Sequence, residues 1–410
     1  MLRPSPLCVR EEDDRMTETH DFLMPDYFLS FSCKIGACRT ACCNGWPVSF
    51  SLEDYFRLIN EDCSEELRRK IDRGVHISLQ PSPESYAQIA PQYDGSCPML
   101  LSDGRCAIHT ELGEATLADV CRLYPRGFRK VPAEASSGEG FEVSCANSCE
   151  GVLEMLFARQ EPICFVHRKA NLFMPPIPER ICSFKTMGHE QEMRLHLIAV
   201  MQDRRMSLPQ RLITVSSEMQ KMETLMRDQD EPGMKSLLLS PWENALVTEN
   251  ASPAHLFAGL TYAEKLMTLI DEQNVSVRKY GTDALAYFDS DENTFTRYEI
   301  ARQHFETRHP DWEICFEHML VNHMFFTCFP FQDRPENIQM EFTALCVVYT
   351  LLRFLSLGCM ALHEKETDLA DICAAAFRLI EHTEFDRYAS NAMHRLGQTD
   401  LDSLQNWIIL

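Results

Sequence analysis

Ten of the eighteen cysteines fall between residues 33 and 149. The first group reads Cys33-x4-Cys38-x3-Cys42-Cys43. The second is Cys97-Pro98-Met99-Leu100 followed by Cys106 and Cys121, and Cys145 and Cys149 close the set. A thiolate is a soft ligand, and clustered thiols in a reducing compartment point to zinc or an iron–sulfur group. Closely spaced ligands can curl round one centre from a single loop, while ligands from distant segments close the cage. Gly36, Gly45 and Gly104 can supply the tight turns this needs. Adjacent side chains usually point apart, so Cys42 and Cys43 are poorly suited to one ion. Either one reaches a second site or one is buried and inert. Zinc fingers favour Cys-x2-Cys knuckles, and this stretch has none. The looser spacing leans towards an iron–sulfur cluster, with zinc as the alternative.

The other cysteines carry a plainer reading. Cys164, Cys182, Cys315, Cys328, Cys346, Cys359 and Cys373 stand alone among apolar residues and are expected to be small core hydrophobes. Cys8 and Cys63 are read the same way. Cys149 is the doubtful member of the clustered set, because it can simply begin the helix that follows. His304/His309 and His318/His323 are spaced by five, which puts each pair off one helix face. They are expected to be core or solvent histidines. A basic run, Arg122, Arg126, Arg129 and Lys130, follows Cys121 in an otherwise acidic chain. Arginine forks suit a carboxylate or phosphate, such as the carboxylate of a cofactor beside the metal. The alternative is compensation of an anionic thiolate cluster. The chain has no Gly-x-Gly-x-x-Gly fingerprint, no P-loop lysine motif and no nucleophile-elbow serine.

These residues need a frame. With 410 residues, two domains are expected, and 45% hydrophobic with 24% charged residues is a globular composition. The net charge of −22 repels phosphate backbones and argues against nucleic-acid binding. It suits a lysine-presenting partner only as weak steering. The first residues contain no apolar signal core, so a cytoplasmic location is expected. Ala344 to Leu362 is nearly apolar over 19 residues, but Arg353 at its centre favours a buried core helix over membrane insertion.

Residues 1–20 read as a flexible tail, 21–175 as an irregular cysteine-rich metal-binding domain, and 185–410 as a helical domain. The boundary falls at the proline cluster from Met174 to Pro178. The fold class expected is mainly α, with the cysteine-rich domain packed on an all-helical C-terminal domain. In the first domain, Ser51 to Arg73 reads as one capped helix, Glu114 to Arg122 as a short helix, Val131 to Gly140 as a surface loop and Phe141 to Ser144 as a strand. In the second, Ser207 caps a helix with an apolar stripe of Leu208, Leu212, Val215, Met219, Met222 and Met226. Further helices are expected over 189–203, 255–271, 295–308, 312–328, 340–360 and 366–381.

The combined pattern resembles the flagellin lysine N-methylases. The matching pieces are Phe31-x-Cys33-x4-Cys38-x3-Cys42-Cys43-x2-Trp46, Cys97-Pro98-x-Leu100, and Gly104-x-Cys106-x-Ile108 running into Glu111-Leu112-Gly113. They continue with Cys121-Arg122-x-Tyr124-Pro125-Arg126 and Ser144-Cys145. Looser matches follow at Arg211-Leu212, at Glu317 with Leu320-Val321-Asn322, and at Phe329-Pro330-Phe331. The resemblance implies transfer of a methyl group from S-adenosylmethionine to lysine side chains of flagellin. It also implies an iron–sulfur cluster, expected to be of the 4Fe-4S type, on Cys33, Cys38, Cys42, Cys43, Cys97, Cys106, Cys121 and Cys145. The chain departs from the pattern in a longer segment before Asp21. It also lacks the Cys-x3-Cys-x2-Cys spacing of radical enzymes, Gly45 standing where the third cysteine would be.

Polar methyl transfer needs a neutral lysine amine, whose free pKa is about 10.4. An enzyme must desolvate the amine or offer a base, and align nitrogen, methyl and sulfur. Tyr124, Trp46 and Glu111 are candidates near the cysteines, without a base being assigned among them. The rival reading is a metal-chelating or redox-sensing module without methyl transfer.

Overall fold

A computed structural model describes residues 19–39, 48–131, 140–175, 177, 186–243, 252–272, 274–289, 293–332, 338–363 and 368–410. Cys8, Cys42, Cys43, Gly45, Trp46 and Cys182, most of the N-terminal tail and residues 132–139 of the expected Val131–Gly140 loop lie outside them.

The first part combines short strands and helices. In chain order they are β1 (His20–Pro25), β2 (Val48–Phe50), α1 (Leu52–Asn60), α2 (Glu65–Gly74), β3 (Val75–Ile77) and β4 (Ala87–Ile89). There follow α3 (Ala107–Leu112), α4 (Asp119–Leu123), β5 (Arg126–Val131), β6 (Gly140–Cys145), α5 (Glu150–Phe157) and β7 (Phe165–Ala170). The single helix expected over Ser51 to Arg73 is two. Ser51 accepts from the N–H of Asp54, and Ser64 starts a second helix by accepting from the N–H of Leu67. The helix expected over Glu114 to Arg122 is a 3-10 turn at Glu114–Thr116 and then α4.

One sheet has the order β5-β6-β1-β7. β1 runs parallel to β6, with Phe22 opposite Phe141, and antiparallel to β7. A smaller antiparallel sheet has the order β2-β4-β3. It belongs to a separate core of Val48, Phe50, Leu58, Leu67, Ile71, Ile89, Met99 and Ile108, with Cys97, Cys106 and Cys121 packed against its margin.

The remainder is helical: α6 (Glu190–Met201), α7 (Leu208–Asp228), α8 (Glu231–Leu239), α9 (Pro253–Thr268), α10 (Val275–Tyr287), α11 (Thr294–Arg308) and α12 (Trp312–Phe326). Then come α13 (Ile338–Leu362), α14 (Leu369–Thr383), α15 (Phe385–Arg395) and α16 (Leu401–Trp407). The protein is mainly α, as expected. In α7, Ser207 and Gln210 form a capping box, and the predicted apolar stripe is buried throughout.

By length and composition α13 is able to cross a membrane, yet 89% of its most apolar window lies inside the protein. Helices α7, α9, α10, α11, α14 and α15 surround it. Arg353 donates through Nε to the carbonyl oxygen of Leu410 at 2.9 Å and lies 3.9 Å from the ring centre of Trp312. That hydrogen bond and the aromatic face offset part of the cost of burying a guanidinium.

The large sheet shares one hydrophobic core with the helices: Phe22, Met24 and Val143 join Leu153, Leu197, Leu212, Leu320 and Leu352. A buried ion-pair set pins the two together. Glu142 of β6 accepts from Arg194 at 2.7 and 3.0 Å and from Arg129 at 2.9 Å. Burial alone would raise the carboxyl pKa of Glu142, but the two guanidinium groups outweigh it and hold the value below normal.

Candidate functional site at the meeting of the cysteine loops and the helices

The loop carrying Cys33 and Cys38 is anchored from both sides. Lys34 pairs with Glu150 at 2.7 Å and with Glu154 at 2.9 Å on α5. Arg39 pairs with Glu154 at 2.9 Å and with Asp371 of α14 at 2.9 Å. The loop then meets the next cysteine segment directly: a β-carbon on Gly36 would lie 2.9 Å from the backbone of both Gly104 and Arg105. In that second segment, Leu100 bridges to Cys106, and the N–H of Leu100 donates to the carbonyl oxygen of Cys97 at 2.9 Å.

Cys121 sits on α4, one turn before the cis Tyr124–Pro125 peptide. Cys145 ends β6, opposite Arg126 of β5. Burial raises the Cys145 thiol pKa, against the opposing pull of the Arg126 guanidinium. Arg126 also lies 5.2 Å from the Phe31 ring centre, two residues before Cys33. Contacts thus run from the Cys33 loop to the Cys97–Cys106 segment, and from Phe31 through Arg126 to Cys145. Among the described residues, no group of three or more Cys, His, Asp or Glu side chains is already arranged to hold a metal.

Cys149 is the N-cap residue of α5, as its doubtful status anticipated, and its side chain makes no capping hydrogen bond. Of the cysteines read as core hydrophobes, Cys315, Cys328, Cys346, Cys359 and Cys373 are buried. Cys164 is exposed, contrary to that reading, and lies in the connecting segment just before β7.

Beside Cys121 and Cys145 opens a cleft of about 570 Å³. Its apolar wall is Val120, Leu123, Pro125, Ala146 and Phe326, and its polar groups are Tyr124, Arg126, Ser148, Glu381 and His382. The polar floor is tightly organised. Glu381 accepts from the backbone N–H groups of Asn147 and Ser148 at 3.1 and 2.9 Å. The Tyr124 hydroxyl donates to Ser148 Oγ at 3.2 Å, and His382 Nε2 lies 3.3 Å from the same oxygen. Burial lowers the His382 pKa, assisted by Arg378 and opposed by Glu381, so this imidazole is neutral at pH 7.

A second layer fixes the floor from below. Asn322 of α12 donates to the carbonyl oxygen of Cys145 at 2.8 Å and to Asn147 Oδ1 at 2.7 Å, while the Tyr27 hydroxyl donates to Asn322 Oδ1. Asn147 donates to the carbonyl oxygen of Met319 at 2.8 Å. His323, also on α12, lies 3.7 Å from Glu381 and 3.9 Å from Asp386. Burial pulls its pKa down, but Asp386 and then Glu381 outweigh it and lift the value to about 9. His323 and His318 are core histidines, as their spacing suggested.

Of the residues proposed to act on an amine, Tyr124 lines the cleft. Glu111 does not: its carboxylate accepts from the N–H and hydroxyl of Ser64 at the start of α2. The basic run divides. Arg126 faces the cleft, Arg122 lies 3.5 Å from the Phe173 ring centre, and Arg129 binds Glu142 and the last carbonyls of α12. Glu381 and His382 went unread in the sequence, where they are an ordinary Glu-His pair near a helix end.

The fold and this site define a thiol-rich, mainly helical protein with a mixed aromatic and polar cleft where its cysteine segments meet its helices. The profile of the FliB lysine N-methylase C-terminal domain matches residues 194–410, just over half of the chain, and the chain belongs to that family. Lysine-N-methylases from Salmonella typhimurium strain LT2 and Salmonella choleraesuis strain SC-B67 are each 28% identical to it over 103 residues. Those alignments cover 25% of this chain and 25% of each relative. No solved structure matches the chain.

Proposed function

We propose that this protein is a cytoplasmic S-adenosylmethionine-dependent methyltransferase that methylates lysine side chains of flagellin, and that it carries a cysteine-ligated iron–sulfur cluster. The observation that carries the reading is the cleft lined by the Val120–Arg126 segment, Ala146, Ser148 and the C-terminal helices in a chain of the FliB family.

The donor chemistry fits such a cluster. Cys33, Cys38, Cys97, Cys106, Cys121 and Cys145 belong to segments that touch through Gly36 and Gly104 and through Phe31 and Arg126. These six, with Cys42 and Cys43, are the candidate ligands; one cluster would take four of the eight, and Arg126 would offset part of its thiolate charge. A bound cluster would supply iron chemistry and would tie the loops together.

The cleft's own residues meet the other demands of methyl transfer. Arg126 presents a guanidinium that suits the carboxylate of the methyl donor. His382, neutral at pH 7, can accept the proton that lysine must lose, with Ser148 and Tyr124 fixing the ring's position. The apolar wall excludes water from the amine.

The reading is tested by anaerobic purification followed by iron, zinc and acid-labile sulfide analysis. Mass spectrometry of flagellin incubated with the protein and S-adenosylmethionine completes the test. Iron with sulfide and lysines heavier by methyl groups are expected. Colourless, zinc-loaded protein removes the cluster from the proposal, and unmodified flagellin with replete protein favours a metal-chelating module instead.

A further inference from the structure

Among the described residues that line the cleft, one is acidic: Glu381. The Glu381 side chain is only 2% exposed, yet it lines the cleft wall. Each of its oxygens takes one backbone N–H, from Asn147 and Ser148, which leaves a second acceptor direction on each. His323 Nδ1 lies 3.7 Å behind it, and Asn322 holds one of the two donating residues, Asn147, in place. The carboxylate cannot swing away. The cleft sets two large rings, Tyr124 and Phe326, and an apolar wall around it, with Arg126, Ser148 and His382 as the other polar groups.

A fixed carboxylate between aromatic faces has the chemistry of a receptor for an alkylammonium ion. The carboxylate offers charge-assisted acceptors to the N–H groups, and the rings attract the cation and its methylene stem. We infer that Glu381 is the specificity-determining residue that receives the cationic head of a lysine side chain, with Tyr124 and Phe326 flanking the stem. This rests on reading the cleft as the lysine site. The role differs from that of His382: Glu381 selects and holds the ammonium, and the neutral imidazole takes the proton afterwards.

The test uses the full-length protein and n-butylammonium chloride as the probe, followed by ligand-observed NMR, with n-butanol as the neutral mimic. Wild type is expected to bind n-butylammonium at least about tenfold more tightly than n-butanol, because a charge-assisted hydrogen bond is at stake. In Glu381→Gln that preference is lost, with iron content unchanged and a lower Tm, because His323 loses one of its two carboxylate partners. Equal binding of the two probes by wild type overturns the inference without any variant, so a poorly folded Glu381→Gln protein does not leave it untested. An undiminished preference in a folded Glu381→Gln protein overturns it too. No methyl donor enters the assay, so a charge preference without flagellin methylation removes the methyltransferase reading alone. Conversely, methylation with unaltered KM in Glu381→Gln removes this inference alone.

Discussion

Gly36 and Gly104 meet backbone to backbone: a β-carbon on Gly104 would lie 2.5 Å from the carbonyl oxygen of Gly36. Their φ angles are +85° and +83°, in the left-handed region that glycine enters at little cost. The contact seats the Cys33–Cys38 loop on the Cys97–Cys106 segment. Gly104→Ala adds a clash with a backbone atom to the conformational strain. The expected result is a loss of about 2 kcal/mol or more in denaturant unfolding, with iron content below stoichiometric. A Gly104→Ala protein of wild-type stability and full iron content would mean the two loops are not held by this contact.

The two classes of cysteine separate by substitution. Cys145→Ser is expected to lower iron and sulfide content in folded protein, since a proposed ligand is lost. Cys346→Ser, in the middle of α13, is expected to cost about 1–3 kcal/mol of stability by burying a hydroxyl, while iron per folded molecule stays constant. Metal analysis alongside urea titration reads both.

The proton acceptor has its own signature. With the His382 pKa held below its ordinary 6.5, the acidic limb of kcat/KM for flagellin methylation should fall below that value. His382→Gln should lower kcat by about 100-fold or more and remove that limb. A bell-shaped profile retained in His382→Gln assigns the proton to another group.

His323 links stability to pH. Its folded pKa of about 9 lies above the ordinary 6.5. The native state therefore binds the proton more tightly than the unfolded chain. The stabilisation is fully present below about pH 6.5 and is lost as pH rises through about 9. Thermal unfolding should show Tm falling across that window, and His323→Gln should flatten the fall while lowering Tm at neutral pH. A Tm that rises from pH 6.5 to 9 in wild type contradicts the charged pair with Glu381 and Asp386.

Asn322 supports the cleft floor through three partners: Tyr27, Asn147 and the carbonyl oxygen of Cys145. Asn322→Ala orphans buried groups on all three and should cost about 2–4 kcal/mol by chemical denaturation. Tyr27→Phe removes a single hydroxyl and should cost less, about 1–2 kcal/mol.

The helical half was open to sequence reading where apolar residues recur at steps of three and four. The stripe from Leu208 to Met226 is the clearest case, and every member is buried. The break between α1 and α2 escaped because Leu58, Leu67 and Ile71 continue one apolar face, and only the cap at Ser64 marks the interruption. Strand β5 escaped because Arg126, Arg129 and Lys130 read as charge, whereas in the fold Arg129 is neutralised by Glu142 and helix-end carbonyls. The cleft was half legible. Tyr124 and Arg126 sit inside a motif next to Cys121, but Glu381 and His382 reach it only through packing of α14 on α5. Nothing in their local spacing marks them, since their importance comes from which backbone N–H groups and rings they face.

The strand order β5-β6-β1-β7 places β1 in the interior of its sheet, with both neighbours supplied by later segments of the chain. During synthesis the earliest of these strands must wait, unpaired, until residues 140–145 and then 165–170 have left the ribosome. All the cysteines proposed as ligands precede β7. Their thiols are therefore out in the open before the scaffold that gathers them is finished, which is the interval in which inorganic material can be delivered to them and in which oxidation would do most harm.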